Sequence, residues 1–209
     1  MLISELSRMV HQNAVEHGWW DEERSPEEVV ALIHSEWSEA LEEARAGMPM
    51  AYIIANTGSY RDPEELVVPR SAEGKYIAPW GKEYHGKPEG IAVELIDGCI
   101  RILDYMGRME TELSEGGEDS TIESLYNDGN VNRVPDNVSE LIAYLHLYTS
   151  QAMAGRSFHD LHVPDMFALT GAMAAALSWV KKQGIDPLAL LQEKHEYNKS
   201  RPYKHGKKF

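Results

Sequence analysis

GIAVELIDGCIRILDYMG, residues 90–107, constrains the architecture more than any other segment. At about 100° per residue, with Glu94 set at 0°, eight apolar residues sweep from roughly 60° to 260°. They are Ile91, Val93, Leu95, Ile96, Cys99, Ile100, Ile102 and Leu103. The remaining narrow arc holds Glu94, Asp97, Arg101, Asp104 and Tyr105. Gly90 and Gly98 edge that arc, where a missing side chain permits close approach of another backbone or a ligand. A helix that is apolar over more than half its girth is buried. The segment is therefore expected to be a core helix over about 88–106, opening at Pro88 and stopping at Gly107. Its acidic stripe must face a compensating charge, because a buried unpaired carboxylate is very costly.

Five further segments read as helices, at about 3–17, 26–46, 137–153, 165–183 and 187–199. The second has the sharpest boundaries. Ser25 caps, Pro26 suits the first helical position, Glu28 completes a capping box and Gly47 follows the last turn. Pro202 blocks continuation of the last helix. Residues 48–87 are broken by Pro and Gly, and within them AYIIA and KYIAP are expected to pair as a short β-hairpin. Residues 110–135 are acidic and rich in Gly, Ser and Asn, as in an exposed loop. The expectation is a mainly α fold: a single helical domain over 1–209 with irregular insertions at 48–87 and 110–135.

Composition sets outer bounds. The chain has 209 residues, is 43% hydrophobic and carries 34 acids against 20 bases. That apolar content suffices for a real core, and no run is long and apolar enough for a membrane span. The net charge of −14 argues against nucleic acid or an anionic membrane as partner. The charge is uneven, because residues 194–209 hold six bases and one acid. A lone cysteine, Cys99, and an N-terminus without a basic, apolar leader pattern lead to a cytoplasmic expectation.

The segment EWSEALEE, residues 36–43, supplies a second acidic stripe. With Glu36 at 0°, Glu39 falls near 300° and Glu43 near 340°, while Glu42 points away at about 240°. If the two stripes face each other, Glu36, Glu39, Glu94 and Asp97 offer four hard oxygen ligands. Such donors suit Mg²⁺, or Mn²⁺ in its place. Carboxylates at i, i+3 on facing helices are also how helical bundles build metal sites. The plainer alternative for the first stripe is a solvated face with ordinary i, i+4 pairs.

The pair S-E-W-S-E (35–39) and E-L-I-D (94–97) resembles the metal-binding signature of the MazG-like, all-α NTP pyrophosphohydrolases. H-Q-N-A-V-E-H-G-W-W (11–20) is similar to that family's first helix and turn. K-H-E-Y-N-K-S-R-P-Y-K-H-G-K-K (194–208) is similar to the tail of one branch. The likeness spans roughly residues 8–47, 87–108 and 185–209, and the separation between the two acidic motifs is longer than the family's usual one. The resemblance implies cleavage of an NTP or dNTP between the α- and β-phosphates, giving a monophosphate and pyrophosphate. It implies that Glu36, Glu39, Glu94 and Asp97 bind Mg²⁺, with Glu39 also taking the proton of the attacking water. Lys194, Asn198, Arg201 and Lys204 would contact substrate, with Arg201 and Lys204 as phosphate clamps. Trp19 and Trp20 either stack on a nucleobase or anchor the turn between helices; Trp20 is the one expected in the pocket, joined by His11 and Asn13 from the first helix. A homodimer or homotetramer is implied as well.

Other chemistries fare worse. There is no phosphate loop of the G-x-x-x-x-G-K-[ST] type. His159-Asp160 with His162 suggests a His-Asp phosphohydrolase, but no distant His and Asp set completes it. The competing class is a non-enzymatic acidic helical bundle acting as an interaction protein.

Overall fold

A computed structural model describes residues 1–58, 64–113, 120–154 and 164–206. The chain is mainly helical. Its helices are α1 (Ile3–Glu16), α2 (Pro26–Arg45), α3 (Ile91–Leu113), the single turn α4 (Asp128–Val131), α5 (Val138–Gln151), α6 (Met166–Lys182) and α7 (Pro187–Lys199). Between α2 and α3 lie the strands β1 (Tyr52–Asn56), β2 (Glu65–Pro69), β3 (Tyr76–Ile77) and β4 (Glu83–Tyr84). Among the described residues no helix is long and apolar enough to cross a membrane.

Helix α3 is the central rod, with α1, α2, α6 and α7 packed on it. Its apolar arc is sealed, with Leu95, Ile96, Cys99, Ile102 and Leu103 fully buried. Burial also pushes the Cys99 thiol up, as befits a packing residue. Gly98 and Gly107 make the close packing possible. A Cβ at Gly98 would overlap the ring of Trp37 on α2, and one at Gly107 would overlap the Ser7 carbonyl on α1. Trp37 in turn donates from Nε1 to Thr149 Oγ1 on α5 at 2.9 Å, within the core.

Three expectations need correction. Helix α3 neither opens at Pro88 nor stops at Gly107. Glu89 is bridged to Tyr52, Gly90 turns the chain with φ at +112°, and the helix continues past Gly107 to Leu113. A glycine there is a contact point, not a terminus. AYIIA and KYIAP do not pair with each other. Instead β1 pairs antiparallel with β2, Ile53 opposite Val68, and β3 pairs with β4. The described part of 110–135 is not a plain exposed loop either, because a 3₁₀ turn over Ile122–Tyr126 buries both its end residues.

The strand region is tied to the last helix. Arg70 Nε donates to Glu193 Oε2 at 2.9 Å, and Tyr76 Oη donates to Glu193 Oε1 at 2.6 Å. The tail is tied to the first helix. Lys204 N donates to the His17 carbonyl at 2.9 Å, and Tyr203 Oη bonds Asp21.

Candidate metal and nucleotide cleft

The end caps of α2 fix the rotation of its acidic stripe. Ser25 Oγ accepts from the Glu28 amide at 3.2 Å and Pro26 begins the helix, as the sequence pattern requires. The Glu28 carboxylate pairs with Arg24 Nε at 3.4 Å. With Trp37 inserted against Gly98, Glu36 and Glu39 are carried to the polar arc of α3.

The result is a convergence of carboxylates. Oxygens from Glu36, Glu39 and Glu94 all lie within 4.8 Å of one another. Ligand oxygens on one Mg²⁺, at bonds of about 2.0–2.1 Å, stand roughly 3–4 Å apart. Small side-chain rotations would bring the three into that range, so the donor set fits a hard divalent cation. Glu36 and Glu94 are each only 7% exposed, whereas Glu39 stands at the exposed lip.

Charge around the three is only partly met. Glu36 Oε1 accepts from Arg101 Nε at 2.9 Å. Asp97 Oδ2 lies 2.8 Å from Lys194 Nζ, and that ammonium also donates to the Pro88 carbonyl at 3.1 Å. Among the described residues Glu39 accepts only from Ser35 Oγ, at 3.1 Å, and neither Glu39 nor Glu94 has an ion-pair partner. With Arg101 and Lys194 engaged by Glu36 and Asp97, the Glu39 and Glu94 carboxylates are the ones left for a divalent ion to meet. In that ion's absence, burial pushes Glu94 up to about 8, aided by the like charge of Asp97 and opposed by Lys194. Burial raises Glu36 too, against the pull of Arg101.

A cleft runs from these acids along α3. Its polar lining includes Asn13, Arg24, Ser35, Arg101, Asp104, His195, Asn198 and Arg201, and Trp19 forms an aromatic wall. The sequence-derived candidates divide. Glu36, Glu39, Asp97, Asn198 and Arg201 all face this cleft, and Glu94 meets it through the carboxylate group. Lys194 is 2% exposed and engaged beneath it, so it holds Asp97 and does not line the cleft. Lys204 lies outside the lining, its ammonium 3.5 Å from Asp21.

Trp20 and His11 are structural anchors on the neighbouring turn of α3. Trp20 Nε1 donates to Asp104 Oδ1 at 2.9 Å, and His11 Nδ1 bonds the same oxygen at 2.8 Å. It is Trp19 that lines the cleft, with the Arg24 guanidinium 5.3 Å over its ring. The sequence does not single out Arg24 and His195, and of the two adjacent indoles it favours Trp20 over Trp19. His195 and Asn198 sit at i, i+3, a spacing that places them on one helix face, and that signal was available. His159, Asp160 and His162 lie outside the described residues.

No family model matches the chain, and no curated protein or solved structure matches it.

Proposed function

We propose that this protein is a divalent-metal-dependent nucleoside triphosphate pyrophosphohydrolase, cutting an NTP or dNTP between the α- and β-phosphates. The observation that carries the reading is the convergence of Glu36, Glu39 and Glu94 from two helices at one end of a cleft that also presents Arg24, Arg101 and Arg201. The acidic motifs and tail that resemble MazG-like enzymes support the same reading. Carboxylates alone would repel a polyphosphate, whereas carboxylates that hold a cation, set beside arginines, would attract one.

Mg²⁺ or Mn²⁺ held by these three residues would screen phosphate charge and acidify a bound water. The chain's own groups have separable tasks. Glu39, at the lip and without an ion-pair partner among the described residues, takes the proton of the attacking water. Arg101 holds Glu36 in place, and Lys194 holds Asp97. Arg201 and Arg24 clamp phosphate oxygens through their planar guanidinium forks, and Asn198 bonds the sugar or its phosphate ester. Lys204 contributes by tying the tail to α1, which fixes Arg201 at the cleft.

A panel of NTPs and dNTPs with Mg²⁺, scored for pyrophosphate against orthophosphate, tests the assignment. Pyrophosphate and monophosphate should appear with at least one nucleotide and disappear in chelator and in Glu94→Gln. Orthophosphate as sole product, or turnover indifferent to chelator, would rule it out.

One observation favours a second reading, that of an interaction module. Tyr144, Leu147 and Phe167 are 53%, 51% and 92% exposed on α5 and the start of α6. The same exposed side chains suit the homo-oligomer that the resemblance implies, so they separate the two readings only if nucleotide turnover is absent.

A further inference from the structure

The cleft is chemically polarised. One end carries the carboxylates of α2 and α3. The other lies near Asp104, seven residues beyond Asp97 on α3 and so about 10 Å away at the helical rise. There α1 and α7 make the wall, with Val10, Ala14 and Trp19 giving apolar surface beside Asn13 and His195, and Arg24 and Asp104 lie alongside.

Two atoms at that end are anomalous. Asn13 Oδ1 and His195 Nε2 are both buried and, among the described residues, have no hydrogen-bond partner. His195 is only 3% exposed. Buried polar atoms are nearly always paired, and an orphan calls for a specific explanation. The two belong to different helices yet line the same cleft. They also form its boundary with a shallow groove beside Arg8, Met9 and Lys199. Burial holds the His195 imidazole below its ordinary pKa, with Lys199 adding to the effect, so the ring is neutral at pH 7. A neutral amide, a neutral imidazole and an aromatic wall suit a flat, uncharged heterocycle with polar edges, not a phosphate. The terminal torsions of Asn and His are broad, so both atoms can turn toward a ligand without moving the backbone.

We propose that Asn13 and His195 are the residues that select the nucleobase, pairing its polar edge at the end of the cleft walled by α1 and α7. The inference rests on the pyrophosphohydrolase reading, with the phosphates at the acidic end. A site built to hydrogen-bond one edge rejects bases that leave its polar groups unpaired.

The test compares the four deoxynucleotides in two assays, for the wild-type chain, Asn13→Ala and His195→Ala. One assay follows pyrophosphate release from the triphosphates with Mg²⁺. The other follows calorimetric binding of the deoxynucleoside monophosphates. Wild type should favour one base at least tenfold in both, and each substitution should shrink that preference tenfold or more while Mn²⁺ affinity stays the same. A wild type indifferent to the base, or variants that keep the wild-type ratio, would overturn the inference. If no triphosphate is turned over, the pyrophosphohydrolase reading fails by itself, and monophosphate binding decides base selection by the same criterion. Should His195→Ala fail to give a native circular dichroism spectrum, Asn13→Ala and His195→Gln carry the comparison.

Discussion

Without metal, Glu94 titrates near 8 in the folded chain against an ordinary value of 4.5. Across that window the folded state keeps a proton that the unfolded chain has released. Stability from this group is therefore fully present below about 4.5 and is lost as pH rises through about 8. Thermal melts in chelator should show Tm falling between pH 5 and 8.5, and Glu94→Gln should flatten that slope. Metal competes for the same oxygen. Saturating Mg²⁺ near pH 7 should release a substantial fraction of one proton, read by calorimetry in buffers of differing ionisation enthalpy. The spacing of Glu36, Glu39 and Glu94 was legible in the sequence, since each helix stripe follows from a fixed angle per residue. The pairing of Asp97 with Lys194 was not, because it joins helices distant along the chain and depends on how α7 crosses α3. Trp20 misled for a related reason. Two adjacent indoles look interchangeable in sequence, and only Asp104 shows which one is tethered.

Among the elements, the contact between α2 and α3 sets the geometry of the acidic site. Gly98→Ala would drive a methyl group into the Trp37 ring. Overpacking of this kind costs about 1–3 kcal/mol, and for a chain of this size each kcal/mol lowers Tm by about 2–4 °C. The melt should register that fall, and Mn²⁺ binding should weaken with it, because the two stripes are forced apart. Arg201, at the end of α7, is predicted to act on substrate and not on the fold. Arg201→Ala should raise KM at least tenfold with Tm nearly unchanged, as steady-state kinetics and melting will report. Most helices were legible because caps and periodicity agree, as at Ser25, Pro26 and Glu28. The strand partners were not. ELVVP alternates too little to stand out between Pro63 and Pro69, and β3 and β4 are two residues each, too short to carry a pattern. Gly107 reads as a helix end by local rules, yet the approach of α1 makes it an interior contact.

The whole molecule is a helical fold whose central rod is apolar except along one line, where excess negative charge is gathered. The plain alternative, a solvated acidic face, predicts a protein indifferent to divalent ions. A folded-state metal site predicts stabilisation by mass action, about 2.7 kcal/mol at a hundredfold excess over Kd, visible as a rise in Tm with Mg²⁺ or Mn²⁺. The exposed side chains of Tyr144, Leu147 and Phe167 bear on assembly. Sedimentation at micromolar concentration should show a dimer or larger species, and Leu147→Lys should shift it toward monomer. The claim on which the rest depends is that Glu36, Glu39 and Glu94 share one cation. Electron paramagnetic resonance of Mn²⁺ titrated into the wild-type chain, Glu39→Gln and Glu94→Gln measures this directly. Saturable binding by the wild type that is lost or weakened at least tenfold in both variants is the predicted result. Equal Mn²⁺ binding by all three proteins, or none by the wild type, would contradict it.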